Sequence, residues 1–235
     1  MSEAPRIRYR FDLPDGSVKT LEFQFDAADF RLVQATPAEP PFWTELGFSR
    51  CANCPLDERV HTHCPAALHM APAVEPLKAL ASFDAVEVTV MEAERTVSVR
   101  TTAQHAMSSV LGLIMATSGC PWTDHLRPMA RFHLPFANEM ETVYRSICMF
   151  LLARELTDAH MPPGFAALED LYRNLHVVNR DMSRRLGAAT RTDPARNAIA
   201  LLDSYTTLLP AALESSLNEL KPLFDAWQTK RISAI

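Results

Sequence analysis

Residues 6–25 read RIRYRFDLPDGSVKTLEFQF, two runs of alternating polarity on either side of Asp15-Gly16. A period of two gives a strand one apolar and one charged face. Asp-Gly supplies the positive φ angles of a tight turn. The stretch therefore predicts an antiparallel hairpin with strands over Arg6 to Phe11 and Thr20 to Phe25.

Further along, Ala85 to Met91 and Thr96 to Thr101 are rich in Val and Thr, alternate in the same way and flank a turn at Glu92-Ala93-Glu94. This predicts a second hairpin, and the two hairpins can join into one small antiparallel sheet. After Thr101 the apolar period changes to that of a helix. Thr101 and Gln104 have capping-box spacing, and Met107, Val110, Leu111, Ile114 and Met115 follow until Gly119 and Pro121 stop the helix. Asn138 with Glu141 opens another helix to about Glu155, in which Cys148 reads as a small core residue. Phe165, Leu168, Leu171, Leu175, Val178, Met182 and Leu186 form a third stripe, ending at Gly187. Asp193-Pro194 starts a fourth helix, which Pro210 should kink or break before Leu213, Leu217, Leu220, Phe224 and Trp227. The fold class expected is α+β: a small antiparallel sheet from two hairpins, a Cys/Pro-rich loop, then a C-terminal helical bundle. Residues 1–103 and 104–235 are its two parts, packed as one compact unit. The C-terminal stripes serve either the bundle core or a homodimer face.

The 235 residues are 48% hydrophobic and 22% charged, enough to bury a sizeable core. No apolar run reaches membrane-spanning length and the N-terminus lacks an apolar signal region, so a cytoplasmic protein with no membrane role is expected. The net charge of −5 gives no general attraction for nucleic acid. Arg180, Arg184, Arg185, Arg191 and Arg196 cluster locally and read as the solvated face of a helix. With six glycines there is no phosphate-cradling loop, and neither a Gly-x-Ser-x-Gly elbow nor His-Glu-x2-His occurs.

Chemistry concentrates in the segment between the hairpins, which carries Pro37, Pro40, Pro41, Pro55, Pro65, Pro72 and Pro76. So long a connection needs function or internal ligation to order it. Residues 50–68 read RCANCPLDERVHTHCPAAL, placing two residues between Cys51 and Cys54 with His61, His63 and Cys64 close behind; SGCPW supplies Cys120 much later. A Cys-x2-Cys pair can grip one ion or cluster from a single turn. Cys54, Cys64 and Cys120 are each followed by proline, which holds the cysteine extended and removes a donor just beyond the sulfur. The dipeptide resembles the end of the cluster-binding run in bacterial ferredoxins, although their compact spacing is absent. Cys51, Cys54, Cys64 and Cys120 are thus expected to hold an iron–sulfur cluster, with His61 and His63 as alternate ligands. Zinc on the same residues is the main competitor, and unrelated cysteines the bland one.

A second candidate lies in HLRPMARFHLPF, residues 125–136, where Arg127, Arg131 and His133 could form a pocket for an anionic ligand with Trp122, Phe132 and Phe136 as apolar walls. Taken together, the segments CxxCPL (Cys51 to Leu56), HCPAA (His63 to Ala67), SGCP (Ser118 to Pro121) and FHLPF (Phe132 to Phe136) resemble those of uncharacterised bacterial proteins. That resemblance implies a bacterial, cytosolic origin and attaches no activity. Three functions remain open: an iron–sulfur protein that senses redox state or passes electrons to a protein partner, a zinc-stabilised adaptor acting through its C-terminal helices, and an enzyme using the arginine–histidine pocket.

Overall fold

The computed structural model describes residues 4–33, 37–157, 163–189 and 193–228. Both hairpins form: β1 (Arg6–Asp12) pairs with β2 (Val18–Gln24), and β3 (Ala85–Met91) with β4 (Thr96–Thr102). Gly16, at φ +81, makes the first turn, a conformation that costs glycine little. The hairpins join through an antiparallel β1–β3 pairing, with Tyr9 opposite Val90, to give the order β2-β1-β3-β4. Ile7, Tyr9 and Phe11 bury themselves on one face with Leu21, Phe23, Val86, Val88 and Val90, while Arg6, Arg8 and Arg10 face water.

The covered face packs on α2 (Ala103–Thr117), so thoroughly buried that it acts as the central rod of the molecule. Its capping box does not form. Thr101 and Thr102 belong to β4, Thr102 makes no side-chain cap bond, and the Thr101 hydroxyl pairs instead with His105 Nδ1 at 3.1 Å. The strand's ladder claims the threonines before the helix can use them. Before β3 lies α1 (Pro65–Val74), and beyond α2 come the short α3 (Arg127–Arg131), α4 (Glu139–Leu156), α5 (Ala166–Ala189) and α6 (Asp193–Leu220), followed by the single turn α7 (Asp225–Gln228). The fold is α+β, with the long helices in the C-terminal half.

At the start of α4 the capping box is complete: the Glu141 amide donates to Asn138 Oδ1 at 2.9 Å and the Asn138 amide to Glu141 Oε2 at 2.8 Å. Asn138→Ala is expected to cost about 1 kcal/mol, measured as a shift in the urea unfolding midpoint. Three other readings are corrected. Cys148 is exposed, because α4 buries the stripe Val143, Ile147 and Phe150, which leaves position 148 outside. Gly187 does not end α5; a Cβ there would meet Arg196 Cδ at 3.0 Å, so the glycine serves the close approach of α6. Helix α6 runs on through position 210, and Pro210 does not break it.

Two hydrophobic clusters result. The larger spans the sheet, α1, α2, the second half of α5 and the first half of α6; the smaller joins Val143, Ile147 and Phe150 of α4 to Leu168, Tyr172 and Leu175 of α5 and Leu213 of α6. Among the described residues no helix is long and apolar enough to cross a membrane.

Candidate functional site

The Cys51 carbonyl accepts the Cys54 amide at 3.0 Å, a turn that presents both thiols from one short piece of backbone. Cys64 is the N-cap of α1, and Pro65 fits the first helical position because its missing N–H would have no partner there. The Cys64 amide donates to the Thr44 carbonyl at 2.8 Å. Cys120 follows Gly119, whose φ of +84 turns the chain away from the end of α2. The turn and the distant SGCPW segment meet through the Trp122 indole N–H, which donates to the Asn53 carbonyl at 2.8 Å.

Burial, then Cys64, Cys120, Asp181 and Cys54, push the Cys51 thiol up to about 12. The other three thiols therefore lie within electrostatic reach of Cys51. Cys64 is also raised, chiefly by burial, against which the Ala67 amide and Arg185 favour its thiolate. All four are free thiols, with Cys64 buried and the others half-buried. No three of the described His, Cys, Asp and Glu side chains stand together as ligands of one metal ion. A tetrahedral zinc–thiolate site, with Zn–S near 2.3 Å, needs its sulfurs about 3.8 Å apart. A cubane cluster spaces its thiolates more widely.

Helix α5 holds this loop in place. Arg185 is 1% exposed and donates from Nη1 to the carbonyls of Trp43 (2.7 Å) and Glu45 (2.6 Å) and from Nη2 to that of Leu46 (3.2 Å). Its guanidinium lies over the Phe48 ring at 5.9 Å, its Nε has no partner, and it makes no ion pair among the described residues. One turn earlier, Asp181 accepts the Ala52 amide at 2.8 Å. Burial would raise its carboxyl, but Arg180, the Ala52 amide and Arg184 together hold it below the usual range. Asn174 receives the Asn53 side-chain amide at 3.1 Å, and Arg50 braces the far side through the carbonyls of Cys54 and Leu56 and an ion pair with Glu58.

The reading of the arginine cluster as a solvated face fails at Arg185. Arg180 and Arg184 pair with Asp181, and Arg191 lies outside the described residues. The sequence does carry a signal for it: Leu175, Val178 and Met182 step by three and four residues, and the next step lands on position 185. Charge alone made it look solvated.

Neither alternate histidine forms a three-ligand group with the thiols among the described residues. His61 is exposed. The Thr44 hydroxyl donates to the Pro41 carbonyl at 2.7 Å, so it accepts from His63 at 2.9 Å; that hydrogen bond assigns the proton to Nδ1 and leaves Nε2 as an acceptor.

Arg127, Arg131 and His133 are not brought together. Arg127 sits on an outer groove, where Asp29 and Asp124 neutralise it at 3.1 Å each. Arg131 is exposed in the same groove and lies over Phe30 and Phe132 at 5.4 and 5.5 Å. His133 is buried and lines a partly open cavity, with Nε2 2.5 Å from the Tyr9 hydroxyl, which also meets Ser109 Oγ at 2.8 Å.

No curated protein and no solved structure matches the chain. A model of the family described as a domain of unknown function, DUF6901, matches residues 7–225, covering both hairpins, all four clustered cysteines and every helix as far as the start of α7, and the chain belongs to that family.

Proposed function

We propose that Cys51, Cys54, Cys64 and Cys120 hold an iron–sulfur cluster of the four-iron type and that the protein senses redox state or passes an electron to a protein partner. One observation carries the reading: four thiols from three separate segments lie within electrostatic reach of one another, and one of them, Cys64, of a buried guanidinium that makes no ion pair among the described residues. A cation taken out of water without a counter-charge is costly. A cluster held by four thiolates is anionic overall and supplies that charge, while the cluster in turn orders a Pro-rich loop that has little secondary structure of its own. A single zinc ion on four thiolates is also anionic, but it needs its ligands grouped about one ion, and no three of the described His, Cys, Asp and Glu side chains are so grouped.

The test is a set of single Cys→Ala variants purified anaerobically. Each of the four is expected to lower bound iron to less than half of the wild-type content, whereas Cys148→Ala, on the exposed side of α4, retains it. Full iron in Cys120→Ala would remove that residue from the site.

A second reading, a homodimer through the C-terminal helices, is favoured by Leu223, Phe224 and Trp227, which leave 75%, 42% and 71% of their surface exposed. Apolar side chains so grouped gain by burial against a second copy. The expected result is a dimer mass in light scattering that Trp227→Glu converts to monomer; a monomeric wild type would end this reading.

A further inference from the structure

Between the two hydrophobic clusters lies a cavity of about 190 Å³, walled by α2, α3, α4, α5 and α6. We propose that it binds a small aromatic or branched aliphatic monocarboxylate, with Arg145 as the partner of the carboxylate and Asn179 and His133 as neutral hydrogen-bonding groups. This inference does not depend on the cluster.

Size sets the first limit. An engineered apolar cavity of about 150 Å³ stays dry and accepts benzene, so this one accommodates a substituted single ring. Most of the wall is apolar, with Leu113, Met129, Leu175 and Leu202 among its residues.

The polar groups set the second limit. Asn179 is 4% exposed and lines the cavity, yet its amide has no hydrogen-bond partner among the described residues. Its amide atoms are not among the buried groups left unsatisfied, so they open onto the cavity, where a ligand oxygen can bond them. His133 spends Nε2 on Tyr9, and its other ring nitrogen makes no hydrogen bond among the described residues. Burial, with Arg145 and Arg95, lowers this ring to about 3, so it enters the cavity uncharged. Arg145 donates to the carbonyls of Met129 (2.7 Å) and Phe132 (2.8 Å) through Nη2 alone, and it makes no ion pair among the described residues. Glu141, one turn earlier on α4, acts on it only from beyond ion-pair distance. One half-buried cation facing an apolar chamber suits a singly charged carboxylate; a phosphate dianion would be desolvated with too little compensation.

The backbone adds two observations. Phe136 lines the cavity at φ +62, a left-handed conformation rare for an aromatic residue and concentrated at functional sites. Gly112 stands in mid-α2 although glycine weakens a helix interior. A Cβ built there meets only Leu202 Cδ2 at 3.4 Å and Cδ1 at 3.9 Å, ordinary contact, so protein packing does not require glycine at this position. The space it leaves belongs to the cavity.

The experiment is calorimetric titration of the full chain with benzoate and with benzyl alcohol, its neutral counterpart. Benzoate is expected to bind more tightly. Arg145→Gln should weaken benzoate roughly 10- to 100-fold, the range for a hydrogen bond to a charged group, and change benzyl alcohol less than about twofold. Gly112→Ala should raise the melting temperature while weakening both ligands, a combination that damage to the fold does not produce. Benzoate binding no tighter than benzyl alcohol, or unaffected by Arg145→Gln, would overturn the carboxylate assignment. Absence of binding by both, or binding insensitive to Gly112→Ala, would overturn the cavity as the site.

Discussion

Replacing Arg185 with leucine is expected to lower the unfolding free energy of the metal-free protein by about 3 to 5 kcal/mol, among the larger effects open to a single substitution. The side chain fills the space under residues 43–48 and is the hydrogen-bond donor to the Trp43, Glu45 and Leu46 carbonyls. Leucine replaces part of its volume but leaves the carbonyls of the buried Trp43 and Leu46 without Arg185, while the Glu45 carbonyl keeps the Phe48 amide at 3.2 Å; each buried acceptor left unsatisfied costs about 1 to 3 kcal/mol. Relief of the buried charge offsets part of that sum. Arg185→Lys keeps the charge but, as a point donor without the planar fork, should recover less than half of the loss. Urea unfolding checks both variants. A loss below about 1 kcal/mol for the leucine variant would mean that the loop is held chiefly by Asp181 and its neighbours. With the loop released, iron retention should fall as well, since the Cys64 amide donates to the Thr44 carbonyl within it.

The second large effect is acid destabilisation through His133. Its folded-state value, pushed down from 6.5 to about 3 chiefly by burial, lies below the unfolded one, so the unfolded chain binds the extra proton first. The stability it contributes is complete above about pH 6.5 and is lost as pH falls from there towards 3. At about 1.4 kcal/mol per unit, the loss by pH 3 is on the order of 4 to 5 kcal/mol. Tyr9 reinforces it: its phenol, also raised by burial, stays protonated at Ser109 and the ring. His133→Phe should be less stable than wild type at pH 7 but show a flatter stability profile between pH 6.5 and 4. Parallel profiles for the two proteins would assign the acid sensitivity elsewhere.

Local pattern carried the elements a long way. A period of two with Asp-Gly marks the first hairpin, a period of two on Val and Thr the second, and Asn138 with Glu141 marks the start of α4 almost to the residue. The reading failed where a distant element outbid a local one. Thr101 had the spacing of a cap but was already paired in β4, and Gly187 looked like a terminator because its packing against Arg196 comes from another helix. The cysteine segments were visible from their repeated prolines, and the Trp122 to Asn53 hydrogen bond joins SGCPW to the CxxC turn across 69 positions. What closes that region lies far off in sequence: Arg185 and Asp181 reach it from α5, where the apolar step marks position 185 as buried but nothing ties it to the cysteines. His133 was singled out beside Arg127 and Arg131, but three-dimensional structure pairs it with Tyr9, 124 positions away, and turns it into a cavity that exists only as the seam of two cores.

The most direct measurement is iron, acid-labile sulfide and zinc content, with a visible spectrum, on protein purified anaerobically without added metal. The account expects iron and sulfide in equal amounts, about four of each per chain, and broad absorbance near 400 nm that bleaches on reduction. Stoichiometric zinc without sulfide, or a colourless protein holding no metal, would contradict it.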